Sequence, residues 1–247
     1  ETFIEARECL EAAVARDSNY VDALAALSYL YGDAYSMGWA RDLEDVDPVA
    51  RSFDLASRAA DLNPNSTAAH RSLALAHFYR HELGDFVEHA DRALALNPHD
   101  PQTLGQLGSY LVMMGESERG AALVHKAYAL NPDLPDWYNL TLAMERALAG
   151  DFEAALAHTN KVKDPNNYIA PLQRIIYLAH LDRLDEAGPD IERLNVLYPG
   201  YSIATMREEA AYWNNTAEFV SLDAAGLRKA GFPETSPEAP SRPVIAV

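Results

Sequence analysis

Three Asn-Pro pairs, Asn63-Pro64, Asn97-Pro98 and Asn131-Pro132, stand 34 residues apart, and this period constrains the chain more than any other feature. Proline has no N–H and disfavours helix in the residue before it, so each pair marks a helix end. Between Pro98 and Pro132 lie Leu104-x2-Leu107-Gly108-x2-Leu111 and then Gly120-x3-Val124-x2-Ala127, two amphipathic stretches separated by Gly115. A helix pair of this length cannot bury its apolar faces alone. A fixed period of such pairs predicts an array in which each pair covers the next. Small residues at Gly108, Gly120 and Ala127 predict close helix contacts.

The same punctuation extends both ways. Ala6-x3-Leu10-x2-Ala13 has the spacing of a second helix, with Ser18 in the place of the closing proline, so the visible chain opens halfway through a repeat. From Ser18 to Pro64 is 46 residues, twelve over the period, and the surplus falls around Tyr35 to Pro48. That insertion carries Trp39 and the acidic run Asp42 to Asp47. It is either a recognition loop led by Trp39 or a lengthened helix pair that tucks Trp39 inside. In the next unit Gly84 is the expected turn, between a helix carrying His70, Leu73 and His77 and one carrying Phe86, Ala90 and Ala93. The fourth unit is one residue short, and Lys161-Val162-Lys163 predicts a truncated last turn; the fifth regains the period at Pro199. Two further helical patterns, Ile203 to Trp213 and Phe219 to Lys229, are expected to cap the array. The domain organisation that follows is residues 1–231 as a solenoid (half-repeat, five repeats, capping helices) and residues 232–247 as a Pro-rich tail.

The first-helix and second-helix patterns, with their closing prolines, resemble the tetratricopeptide repeat (TPR) over about residues 1 to 214. The resemblance implies an all-α, right-handed α-solenoid of helix pairs. It also implies a non-catalytic interaction module whose concave groove, lined by the first helix of each pair, receives a peptide or partner domain. The opening half-repeat, the Trp-bearing long repeat and the ending Gly226-Leu227-Arg228-Lys229-Ala230-Gly231-Phe232-Pro233-Glu234 look like the C-terminal TPR region of bacterial class III adenylate or guanylate cyclases and related winged-helix regulators. That narrower resemblance implies a regulatory part of a larger bacterial signalling protein, and Glu1 in place of Met reads as an excised fragment.

Phasing the repeats nominates a groove of Tyr29, Arg71, Leu75, Phe78, Tyr79, Gln102, Ser109, Val112, Met113, Tyr138, Glu145, Arg146, Ile176 and His180, because aromatic residues and Arg on a rigid face are the usual binding anchors. The Lys, Asn and Arg clamp with which one TPR subtype grips chaperone tails is absent, Arg71 being the one cation at those places. The tail with Pro233, Pro237, Pro240 and Pro243 favours an extended backbone; it is either a loose chain end or a segment that lies along its own or a neighbouring molecule's groove near Arg71, Tyr79, Arg146 or His180. Self-association through groove or tail is the alternative to a foreign ligand, followed by a helical-repeat enzyme or a metal-bound scaffold using His77 and His81.

Chemistry is sparse. Ser109 has no Gly-x-Ser-x-Gly elbow, and Gly105-x2-Gly108 lies within a helical pattern instead of following a strand. His77 and His81, four apart with Glu82, Asp85 and His89 near, have the pitch of metal ligands, but the histidines occupy packing positions and no metal or cofactor is expected. The acidic run 42–47 lacks the order of a calcium loop. A formal charge of −17 opposes nucleic acid and anionic membrane surfaces, leaving protein or peptide as the expected partner. One cysteine, Cys9, excludes an internal disulfide and fits a cytoplasmic setting. No apolar run approaches the length of a membrane helix.

Overall fold

The computed structural model describes residues 2–36, 43 and 46–235. Among the described residues there are thirteen α-helices and no strand. They are α1 (Thr2–Arg16), α2 (Val21–Ser36), α3 (Pro48–Leu62), α4 (Thr67–Tyr79), α5 (Leu83–Leu96), α6 (Pro101–Met113), α7 (Ser117–Leu130), α8 (Tyr138–Leu148), α9 (Phe152–Thr159), α10 (Ile169–His180), α11 (Gly188–Leu197), α12 (Ile203–Tyr212) and α13 (Ala217–Lys229). The chain divides into two compact units, residues 1–103 and 104–247.

Two turn types alternate along it. After the second helix of a pair, an Asn or Asp side chain accepts the backbone N–H two residues on. Asn63 Oδ1 does so from Asn65, Asn97 from His99, Asn131 from Asp133 and Asp164 from Asn166, at 2.9–3.3 Å. Asp17 makes the same bond to Asn19 across Ser18. These are Asx turns, and in the four after Asp17 a proline pre-sets φ at the central residue. After the first helix of a pair the chain takes one residue in the left-handed region, and the next N–H reaches back five residues, as a Schellman motif requires. Glu82→His77, Glu116→Leu111, Asp151→Arg146 and Arg183→Leu178 are such bonds, at 2.9–3.0 Å. The left-handed residues are His81 (φ 61°), Gly115 (φ 102°), Gly150 (φ 80°) and Asp182 (φ 57°). The turn expected at Gly84 is therefore made at His81; Gly84 lies in the first turn of α5 with open space around it.

The helix ends fall where the prolines place them, at Leu62, Leu96, Leu130 and Leu197, with one exception. Helix α9 stops at Thr159, and residues 160–163 form a loop before Asp164-Pro165. The sequence already marked this as a truncated turn. The glycine pair behaves as its position demands: a Cβ on Gly108 would lie 2.6 Å from the Gly120 carbonyl oxygen, so α6 and α7 touch backbone to backbone.

Unit one buries Leu24, Leu27, Tyr31, Leu55, Ala59 and Ala69 as a core between α2, α3 and α4. Reciprocal bonds tie α2 to α3, with Ser28 Oγ donating to the Ser52 carbonyl at 2.8 Å and Ser52 Oγ to that of Ser28 at 2.9 Å. In unit two the largest core runs from Ala143 through Ile175, Ile176 and Tyr177 to Leu227 of α13. Trp39 lies outside the described residues, as do Asp42 and the tail from residue 236 onward, so the two readings of the insertion and the expected course of the tail fall outside them too.

Candidate functional site: the faces of the first helices

In unit one, α2 and α4 and the start of α6 carry the nominated residues. Arg71 is half-buried, with its guanidinium carbon 6.0 Å from the ring centre of Tyr29. Its Nη1 is 3.8 Å from Asp100 Oδ2 and donates to Thr103 Oγ1 at 3.4 Å. Its Nε–H is buried and has no hydrogen-bond partner. Asp33, one turn beyond Tyr29, completes the group: burial pushes its carboxyl up to about 7, against a hydrogen bond from Tyr29 and the charge of Arg71. Gln102 is exposed beside them in sequence at the start of α6.

The other three nominated positions of unit one turn inward. Phe78 is fully buried with its ring 5.6 Å from that of Phe86, and Leu75 is buried. Tyr79 packs edge-on to Tyr35 at 5.5 Å, over the bare Cα of Gly32. A face reachable from solvent thus keeps Tyr29, Arg71 and Gln102.

The histidines form a packed column. His77 stacks on His89 and His89 on His70, ring centres 5.3 Å apart in both cases. The Nδ1 atoms of His70 and His89 lie 3.1 Å apart, within hydrogen-bond distance. Donor atoms of His77, Glu82 and Asp85 come within 4.8 Å of one another, but both oxygens of Glu82 already accept from Arg80, at 2.8 and 2.9 Å. His77 and His81 do not share a helix face, because α4 ends at Tyr79 and His81 sits in the left-handed turn.

In unit two the arrangement differs. Ser109 is buried, accepting from Thr141 Oγ1 at 2.9 Å and donating to the Gly105 carbonyl. Tyr138 is buried over Gly105, where an added Cβ would meet its ring at 3.0 Å. Glu145 is buried and ion-paired to Arg146 Nε at 2.6 Å. Val112, Met113, Ile176 and His180 lie under α13. Phe219 of α13 packs with Val112 and Met144, with Met113 and Leu148 at the margin. Gly226 meets Ile176 so closely that a Cβ there would be 2.8 Å from Ile176 Cγ2 and 3.1 Å from its carbonyl oxygen. His180 Nε2 bonds the Leu222 carbonyl at 2.9 Å, and Lys229 Nζ reaches the Ala179 carbonyl and Asp182.

Helix α13 is thus laid across the ends of α6, α8 and α10, the first helices of three successive pairs. On α10 the second helix of the pair is held at Arg174, whose guanidinium bonds Asp190 of α11, whereas α13 is held at Ile176. Two residues turn a helix by about 200°, so α13 and α11 flank α10 on opposite sides. Of the unit-two positions that repeat phasing assigned to a ligand, Val112, Met113, Ile176 and His180 are covered by α13. The sequence signal was available: Phe219, Asp223, Gly226 and Leu227 recur at helical spacing, with a glycine where a close crossing needs one and a carboxylate on the buried stripe. Burial alone pushes the Asp223 carboxyl up to about 8, and the hydroxyl of neighbouring Tyr177 is buried without a hydrogen-bond partner.

Known proteins of similar fold are TPR proteins. Pseudomonas aeruginosa PilF superposes with a TM-score of 0.59 at 14% identity, over 93% of each chain. A TPR protein of Parabacteroides merdae gives 0.56 at 15% identity, over 93% of this chain and 86% of that one. YrrB, a TPR protein with an unusual peptide-binding site, gives 0.53 at 14% identity, over 82% and 98%. The fold is the TPR type of helix-pair array. In sequence, the transcriptional regulator HilA of Salmonella typhimurium is 27% identical over 153 residues. That match takes in 56% of this chain and spans about a quarter of HilA, 27% of its length. No family model matches the chain. No helix among the described residues is long and apolar enough to cross a membrane.

Proposed function

We propose that this chain is a protein-interaction module, the regulatory part of a larger bacterial signalling protein, which receives a peptide or partner segment on the first-helix face of its first unit. The observation that carries this reading is the buried Nε–H of Arg71, left without an acceptor beside Tyr29 and Asp33. An unpaired donor on a charged group costs more than a neutral one, and a ligand carbonyl or carboxylate that accepts from it removes the cost. Exposed Gln102 adds an amide suited to a peptide backbone. The overall charge of −17 favours a ligand whose remaining side chains are neutral or basic. The TPR fold and the peptide-binding site of YrrB support a peptide as the ligand class. The likeness to HilA, a transcriptional regulator, supports the regulatory role.

Panning a random peptide library on the immobilised full chain tests the proposal. Enriched peptides should lose about tenfold or more in affinity on Arg71→Ala, a buried charged hydrogen bond being worth roughly 1.5–3 kcal/mol. Arg58→Ala, an exposed cation on α3, should leave them unchanged. Peptides indifferent to Arg71, or no enrichment at all, would refute the assignment.

A further inference from the structure

The turn between α4 and α5 brings an imidazole and two carboxylates to one point. Its Schellman bond, from the Glu82 N–H back to the His77 carbonyl at 3.0 Å, folds the start of α5 against the last turn of α4. Glu82 stands at the N-cap of α5 with its side chain bonded to no helix N–H, and Asp85 follows three residues on, on the same side of that helix. His77 Nδ1 lies 2.7 Å from Glu82 Oε2 and 3.9 Å from Asp85 Oδ2. A zinc ion that holds nitrogen and oxygen ligands tetrahedrally at about 2.1 Å keeps them about 3.4 Å apart, a value those two distances bracket.

The imidazole is held in place by its packing. One ring, His89, stacks on it at 5.3 Å and 13° from parallel, and Phe53 of α3 stands at 82° to it, 5.2 Å away. The side chain of His77 is 12% exposed and that of Asp85 60%, so the group is anchored between helices and open to water on one side.

Arg80 does not close the site. It donates to both oxygens of Glu82, with its guanidinium 4.1 Å from the ring centre of Phe53. A carboxylate oxygen has two lone pairs, and at Oε2 one faces Arg80 and the other His77 Nδ1. A metal ion between His77 and Glu82, with the imidazole proton on Nε2, leaves both Arg80 bonds standing. Arg80 is then an outer partner that orients the ligating carboxylate.

We propose that His77, Glu82 and Asp85 bind a divalent metal ion of the zinc class, with the fourth position open to solvent. One imidazole nitrogen with two carboxylates suits zinc, whereas magnesium and calcium take shells of six or more oxygens. The two carboxylates offset the charge of the ion, and a neutral imidazole adds none. The bound ion ties the last turn of α4 to the first turn of α5 across the left-handed residue His81, so metal binding and the stability of this helix pair are coupled. The site is six residues along α4 from Arg71, about 120° round the helix, and stands apart from the peptide reading.

Titration of the metal-free full chain with zinc, read by calorimetry and by NMR of the histidine rings, tests the assignment. One equivalent should bind, and the His77 ring signals should move with it. Asp85→Asn, at an exposed position, should lower the affinity about tenfold or more, since a ligand counts for at least as much as an outer partner. His99→Gln, at an exposed histidine between α5 and α6, should leave it unchanged, and magnesium in large excess should not displace the zinc. Any one of four results would overturn the proposal: no saturable binding, His77 signals that stay in place, an affinity indifferent to Asp85→Asn or reduced by His99→Gln, or displacement by magnesium.

Discussion

The two units build first-helix faces from the same repeat and use them in opposite ways. In unit one the face keeps a cation with an unused donor: Arg71 lies between Tyr29 and Asp100, with half-buried Asp33 beside it. In unit two the corresponding face is apolar, with Val112, Met144 and Ile176, and a helix of the same chain covers it. The difference teaches where such a repeat stores its specificity. Turns and helix-to-helix contacts are set by the period, whereas positions facing away from the second helix are free to vary. An apolar choice there calls for a cover, since a contiguous exposed patch is a liability. A charged choice can face water and wait.

The largest effect is expected where the cover meets the face most closely. Gly226→Leu drives a side chain into Ile176, against both its Cγ2 and its carbonyl oxygen, and should cost about 3 kcal/mol or expel α13 outright. Urea unfolding would show the loss, and hydrogen exchange confined to α13 would show the expulsion. An unchanged midpoint would mean that α10 and α13 do not touch as described.

A pH titration sharpens the same contrast. The Asp223 carboxyl is raised to about 8 in the folded chain from 3.8, so between those values the folded state holds a proton that the unfolded state has lost. The contribution of this group to stability is therefore present below about pH 4, falls as pH rises, and is gone above about pH 8. Asp223→Asn should flatten that decline and stabilise the chain at pH 8 by on the order of 1–3 kcal/mol. Thermal unfolding of both proteins from pH 5 to 9 measures it, and parallel curves would contradict the buried position of Asp223.

Arg71→Leu is the counterpart in unit one. The guanidinium holds Asp33 below where burial alone would place it, so its removal should raise the Asp33 titration above about 7, as followed by NMR of the carboxyl carbon. Stability should change by only about 1 kcal/mol, because Arg71 is partly solvated and its pairing with Asp100 spans 3.8 Å. The smallest effect belongs to the turns both units share. His81→Gly relieves a non-glycine residue at φ 61° and should stabilise by roughly 1 kcal/mol or less, with no effect on either face. Destabilisation by that substitution would show that the His81 side chain holds the turn.

The local rules were legible in the sequence. Asn-Pro and Asp-Pro at fixed spacing stop second helices because proline lacks a donor and the Asx side chain supplies the next acceptor, a matter of three consecutive residues. Gly108 and Gly120 announced a close crossing because nothing larger than hydrogen fits there. Nearest-neighbour order follows from such rules, and so does the fold class. Where a rule admitted two residues, sequence was less sure: Gly84 looked like the turn, yet the six-to-one hydrogen bond from Glu82 to His77 puts the left-handed residue at His81.

What the sequence could not decide is which surface an amphipathic helix covers. The stripe of Phe219, Asp223, Gly226 and Leu227 says that α13 buries one side, and it is equally compatible with closing the end of the array and with lying across three first helices. Hydrophobic burial is non-directional and rewards either. The choice rests on shape: the Ile176 backbone is approachable only by a residue without a side chain, and Gly226 arrives there with Leu222 placed to meet His180 and Lys229 to meet Asp182. That match among residues some fifty positions apart exists only in three dimensions. It turned positions that phasing had marked for a ligand into positions already filled.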